Sequence, residues 1–150
     1  MIAAFRSLPD LRLIVAGDGP ERARLAALAG PNVQLVGTVD DAGLRWYYSN
    51  CAAVVAASYE DFGLTPLEAL AFGKPSVVVR WGGFLDTVVE GETGVFFEQP
   101  EPTAIAAGVR AAIATTWAAD TLAHHAQRYR PERFTARLRE VVATAAAGCR

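Results

Sequence analysis

Two glutamates, Glu60 and Glu68, stand with seven residues between them, Asp61-Phe62-Gly63-Leu64-Thr65-Pro66-Leu67. The residues they enclose are those that open a helix. Thr65 is a good N-cap, Pro66 suits the first helical position, and Glu68 falls three residues after the cap. Backbone amides from Phe62 to Thr65 then point outward at the positive end of a helix dipole, a seat for a phosphate or diphosphate. Carboxylates flanking that seat are poor partners for phosphate but good acceptors for sugar hydroxyls. A diphosphate with a sugar at each end, a nucleotide sugar, satisfies both features. The same residues also spell an ordinary capping box, with Glu68 bonded back to the Thr65 amide and Glu60 a solvated loop acid.

Other polar positions carry weaker signals. Gly17-Asp18-Gly19-Pro20 resembles the start of a dinucleotide fingerprint, but the third glycine position holds Arg22, which argues against NAD. The alternative is a tight turn with Pro20 at the first helical position, bordering the crevice where ligands gather at strand carboxyl ends. In Thr38-Val39-Asp40-Asp41, Asp40 or Asp41 is expected to cap the following helix. The functional reading of this segment is base recognition by Val39 and Asp41: a carboxylate accepts from both N1–H and N2–H of guanine, whereas uracil offers one donor. Gly82-Gly83 allows close backbone approach to a ligand or a flexible turn. Asp86 reads as a first-turn helix acid. Adjacent His124 and His125 diverge around a helix, which argues against paired metal ligation, and no metal is expected. Trp46, Tyr47 and Tyr48 are expected to pack against a sheet rather than stack on bases. No Ser-His-Asp or Cys-His set can be assembled.

These positions need a scaffold, and the apolar pattern supplies one. Short apolar runs at Leu11–Ala16, Val33–Val36, Ala52–Ala57, Ser76–Val79 and Val95–Phe97 read as strands. Helical stretches lie between them: one through Leu25 and Leu28 that stops at Gly30, then Ala42–Asn50, Pro66–Phe72 and Leu85–Val89. Alternation of this kind predicts an α/β fold, a Rossmann-like doubly wound parallel sheet. Two helical stripes follow: Ile105, Val109, Ala112 and Ile113, then Phe134, Leu138, Val141 and Val142, with Pro131 starting the last helix. Ile2–Leu8 reads as the last turns of a helix running straight into the Leu11 strand. The first strand of a doubly wound sheet, which lies in its middle, is missing from the pattern. The expectation is one domain, residues 1–150, truncated at its N-terminus.

Composition bounds the partners. The chain has 150 residues, 52% hydrophobic and 20% charged, enough for one soluble domain with a core. A net charge of −2 gives no reason to expect nucleic-acid binding. Cys51 and Cys149 form no metal-ligand spacing or disulfide framework; both read as free thiols in a reducing compartment, Cys51 as buried. No apolar run approaches the roughly 20 residues that span a bilayer, and no signal peptide is visible at Met1. The expected location is cytoplasmic, with peripheral membrane association open.

Taken in order, these segments resemble the C-terminal domain of the GT4 family of retaining glycosyltransferases, which adopt the GT-B fold. The matching pieces are Leu13–Pro20, Val33–Gly37, Glu60–Ala69, Phe72-Gly73-Lys74-Pro75, Gly82-Gly83 and Glu90–Gly94, across roughly residues 2 to 145. The resemblance implies that Glu60 is the catalytic-site acid on the donor sugar's hydroxyls and that Glu68 holds the ribose. It gives the sugar and diphosphate to the amides of Phe62, Gly63, Leu64 and Thr65. The Glu-Asp-Phe-Gly wording and Phe96-Phe97 look most like bacterial mannosyltransferases, so GDP-mannose is the first choice of donor and a UDP-sugar the second. It also implies retention of configuration, no metal or other cofactor, and an N-terminal acceptor domain absent here. The family's diphosphate-neutralising Arg and Lys would precede Met1, which makes this polypeptide alone at most a weak, non-turning-over binder. Arg80 is the nearest visible cation. The competing readings are a non-catalytic nucleotide-binding or regulatory module of the same fold, and an epimerase of the related type acting on UDP-sugars.

Overall fold

The structure is a computed structural model that describes residues 1–148, so Cys149 lies outside the described residues. A 3-10 turn, Ile2–Ser7, leads into β1 (Leu13–Ala16), α1 (Arg22–Leu28), β2 (Val33–Gly37), α2 (Asp41–Asn50) and β3 (Val54–Ala56). Then come α3 (Leu64–Ala71), β4 (Ser76–Val79), α4 (Phe84–Thr87), β5 (Gly94–Phe97), α5 (Pro102–Ala114), α6 (Ala119–Gln127) and α7 (Pro131–Gly148). Every strand pairing is parallel, as expected where helices alternate with strands.

The hydrogen-bonded ladders form two pieces, β1-β2 and β3-β4-β5. Among the described residues, β1, β2, β3 and β5 each keep one unpaired edge. Burial follows the pairing. β4 is flanked on both sides and all four of its residues are buried, whereas every residue of β3 is half-buried.

One apolar core still joins the two pieces. It runs from Ile2, Phe5, Leu8 and Leu13 through Val77, Val78 and Val79 to Phe97, Ile105 and Val109. Asn32 pins the N-terminal turn: its side-chain amide donates to the carbonyls of Phe5, Leu8 and Leu11, each at 2.9 Å. Helix α5 buries Ile105, Val109 and Ala112 as its periodicity predicts, but Ile113 stays 43% exposed. The stripe Phe134, Leu138, Val141 and Val142 has the right helical period, yet no residue of α7 is buried and all four side chains are exposed. Period fixes which residues share a face; it does not supply a surface to cover that face.

Gly94 shows how tightly β4 and β5 are pressed. A Cβ there would lie 2.2 Å from the Ser76 carbonyl oxygen and 2.8 Å from Val88 Cγ1. Gly94→Ala is expected to lower stability by about 1–3 kcal/mol or more through overpacking. Gly19→Ala, at a position with no atom within 4 Å of the added carbon, should change it by less than about 0.5 kcal/mol. Chemical denaturation midpoints of the two variants check this.

Candidate functional site

The loop that leaves the carboxyl end of β3 turns into α3 at Gly63, whose φ is 77°. That left-handed value is open to glycine and resisted by threonine. The cap is therefore Gly63, not Thr65; Thr65 is the second helical residue and Pro66 the third. The capping box does not form either. Glu68 Oε2 instead accepts a hydrogen bond from the Tyr48 hydroxyl at 2.6 Å.

This shift leaves the helix tip more open than the sequence suggested. No side chain caps α3. Among the described residues, no acceptor takes the amide hydrogens of Phe62, Gly63, Leu64 or Thr65. Pro66, next in line, has no N–H to satisfy. Successive amides in such a turn make an anion-binding concavity, and the helix dipole adds to it. Phe62, Leu64 and Thr65 are exposed there, while Gly63 is buried. The two acids stand on either side of the tip in sequence, both exposed. Glu60 is steadied by Ser58, whose hydroxyl donates to Glu60 Oε1 at 2.9 Å.

A second loop braces the first. The Gly83 amide donates to the Glu60 carbonyl at 2.9 Å. A Cβ on Gly82 would lie 2.4 Å from that carbonyl oxygen, and one on Gly83 would lie 2.2 Å from Phe62 Cα. A Cβ on Gly63 would meet the fully buried Phe84 ring at 2.5 Å. The glycine pair is required by backbone packed on backbone, which neither a ligand approach nor a flexible turn had anticipated. The signal was the pair itself; its partner, far away in sequence, had no local mark.

Helix α6 and the turn after it are hydrogen-bonded to α4. Tyr129 donates its hydroxyl to the Asp86 carbonyl, and the His125 ring nitrogen Nε2 lies 3.0 Å from the Thr87 carbonyl. Facing a carbonyl, that nitrogen must carry a proton. Thr87 in turn donates to the Gly83 carbonyl at 3.0 Å. His125 is buried and His124 exposed, so the two rings part as adjacent helical residues do. The clamp role of His125 was missed, since polarity on a surface helix gave no hint of it. Burial raises the Tyr129 phenol above its ordinary pKa.

At the end of β2 the two aspartates divide their roles. Asp40 is the cap of α2, accepting the Gly43 amide at 2.8 Å. Asp41 is the first helical residue, exposed and, among the described residues, without a hydrogen-bond partner; Val39 beside it is half-buried. Pro20 does not open α1: the cap is Glu21 and the helix starts at Arg22, with Pro20 left in the turn. Trp46 does not pack on a sheet but is 60% exposed. Tyr48 packs at the C-terminal end of α3, its ring stacked on the C-cap residue Phe72. Cys51 is half-buried rather than buried, and burial raises its thiol pKa.

Arg80 is already engaged. Its guanidinium pairs with Glu90 and with Glu98, the latter at 2.8 Å, and lies 4.4 Å from the centroid of the Phe96 ring. Two carboxylates on one cation leave no surplus charge for a diphosphate. No group of three or more His, Cys, Asp or Glu among the described residues is placed to hold a metal ion. None of the described helices is long and apolar enough to cross a membrane.

Known proteins resemble this chain in sequence and fold. Residues 1–132 match the family model of the glycosyl transferases group 1. A GDP-mannose-dependent alpha-(1-6)-phosphatidylinositol dimannoside mannosyltransferase of Mycobacterium tuberculosis is 39% identical over 106 residues, covering 67% of this chain and 27% of that protein. The glycogen synthase of the same species is 33% identical over 129 residues, covering 82% of this chain and 31% of that protein. The solved sucrose-phosphate synthase of Thermosynechococcus elongatus superposes with a TM-score of 0.82 at 27% identity, over 98% of this chain and 41% of that one. The chain thus spans less than a third of the length of these two curated relatives. Its architecture is the Rossmann-like half of a GT-B fold, and the chain belongs to the glycosyl transferases group 1 family.

Proposed function

We propose that residues 1–150 are the nucleotide-sugar-binding domain of a retaining glycosyltransferase, which transfers a glycosyl group to an acceptor bound by a further domain. The observation that carries this reading is the open tip of α3. Four consecutive amides, from Phe62 to Thr65, have no acceptor among the described residues and lie between two exposed glutamates. Such a tip suits a diphosphate, and the acids suit hydroxyls on the groups joined to it.

In this reading the amides hold the diphosphate and stabilise the charge that grows on it as the glycosidic C1–O bond breaks. Fixed donors of this kind act without reorganising. The acceptor oxygen bonds to C1 on the face the diphosphate leaves, and its proton passes to a departing phosphate oxygen. Glu60, held by Ser58, takes hydroxyls of the donor sugar; Glu68 takes the ribose. The protein's part is orientation and charge stabilisation, with no metal assigned.

Mannose from GDP-mannose is the donor we favour, over a UDP-sugar. Asp41 is left free by the capping role of Asp40, and one relative is named for that donor. A glycogen synthase among the relatives supports a glucosyl donor instead. The free Cys51 thiol suits the reducing cytoplasm, which is part of the same proposal.

Three outcomes are expected. In calorimetric titrations, Glu60→Ala should weaken nucleotide-sugar binding about tenfold or more, the size of a lost hydrogen bond to a charged group, while leaving the free nucleoside diphosphate unaffected. An equal loss for both ligands would move Glu60 away from the sugar. Gly63→Ala should abolish diphosphate affinity, because the added carbon collides with Phe84 and distorts the tip. GDP-mannose should bind more tightly than UDP-glucose, and Asp41→Asn should narrow the difference; a preference for UDP-glucose in the unaltered protein would overturn the choice of donor.

A further inference from the structure

Tyr48 stands on the last turn of α2 and reaches across to α3. Its ring lies parallel to Phe72, with centroids 5.4 Å apart and planes 13° apart. Its hydroxyl donates to Glu68 Oε2 at 2.6 Å, a length typical of a charge-assisted bond. Glu68 lies on α3 and Phe72 is its C-cap residue, four positions on, and both meet the Tyr48 side chain. Few residue types serve: phenylalanine lacks the hydroxyl, and a serine or threonine is too short to stack.

We propose that Tyr48 is a positioning residue for the ribose of the bound donor: it holds Glu68 Oε2, fixes the plane of the carboxylate, and leaves Oε1 to accept from the ribose hydroxyls. The proposal rests on the reading of the α3 tip as the donor site.

Three points support it. First, a glutamate on an exposed helical turn samples several rotamers, and freezing one at the moment of binding costs affinity. The bond from Tyr48 sets the rotamer before the ligand arrives. Second, a carboxylate has two oxygens with about four acceptor positions in all. Among the described residues only Oε2 is used, by Tyr48, so the acceptor capacity of Oε1 is intact. Third, the donor is itself held. Stacking on Phe72 fixes the ring, and burial, followed by the bond to Glu68 and its charge, pushes the phenol pKa upward. Tyr48 therefore remains a protonated donor at neutral pH. The capping reading of Glu68 would have turned the same carboxylate back onto its own helix; Tyr48 takes its place and draws the acid toward α2.

The test uses Tyr48→Phe, which keeps the ring on Phe72 and removes only the hydroxyl. GDP and UDP, each with its 2′,3′-dideoxy form, are titrated into the full chain and the variant by ligand-observed NMR. The unaltered protein should prefer the ribose forms. Tyr48→Phe should bind them about threefold to tenfold more weakly, the range for one lost hydrogen bond, and bind the dideoxy forms as before. A purely structural role would lower affinity for both forms alike, or lower only the melting temperature, and either result overturns the proposal. So does a ribose preference that survives at full size in Tyr48→Phe. Loss of all ribose preference in the unaltered protein overturns the donor-site reading itself, and the role of Tyr48 with it. A second readout is independent of ligand: the Tyr48 Cζ resonance should shift on Glu68→Gln and stay in place on Glu60→Gln. A resonance indifferent to Glu68→Gln overturns the bond on which the proposal stands.

Discussion

Two stretches of backbone with no room for a side-chain carbon between them set the geometry of the site. The Gly83 amide is bonded to the Glu60 carbonyl, and Gly82 and Gly83 lie directly against Glu60 and Phe62. That contact joins the end of β3 to the end of β4, so the loop carrying Glu60 cannot move without carrying the β4 loop with it. Gly63 extends the same constraint, because the Phe84 ring occupies the place of its missing Cβ. The left-handed turn, the start of α3 at Leu64 and the four unbonded amides all follow from this packing. A helix tip ordinarily satisfies its amides with a serine, threonine or aspartate. Here glycine at the cap satisfies none, and the amides are left without acceptors among the described residues.

The scaffold behind the loops concentrates its burial where the site needs support. β4 is fully buried, α5 covers it with Gly108 drawn up to Val77, and His125 of α6, with Tyr129 in the turn after it, bonds to α4. The other half of the molecule is less enclosed. β1 and β2 form their own ladder, and β3 keeps an open edge and half-buried side chains. Acidic side chains elsewhere are also sorted by role. Asp40 closes a helix, Glu90 and Glu98 neutralise Arg80, and Glu68 is tied to Tyr48. Asp41 is left with no hydrogen-bond partner among the described residues.

Much of this was legible in the sequence because local rules and the fold agree. Alternating apolar runs located all five strands and the helices between them, with ends within a few residues. The Glu60-to-Glu68 segment stands out in the sequence because an ordered set of residues, not one motif, points to it, and the structure gives it a helix tip with no side-chain cap. What escaped was set by contacts distant in sequence. Thr65-Pro66 is a valid helix start by local chemistry, but Phe84 behind Gly63 moves the cap two residues upstream. Pro20 failed as a helix start in the same way, with Glu21 taking the cap. Tyr48 was assigned to the sheet because aromatic residues usually pack there; its partner Glu68 becomes visible only when α2 and α3 stand side by side. His125 was read by its neighbours' polarity, whereas its burial depends on the carbonyl of Thr87. In α7 the period was right and the burial was not, since a stripe on a helix names a face without naming its partner.

The amides of Phe62, Gly63, Leu64 and Thr65, without acceptors among the described residues, make up the proposed anion seat. Amide-resolved NMR of the full chain, titrated with GDP and with inorganic pyrophosphate, tests it most directly. Both ligands should shift those four amide resonances first and furthest, and GDP alone should also move Tyr48 and Glu68. Saturating binding that leaves the four amides in place while shifting residues elsewhere would contradict it.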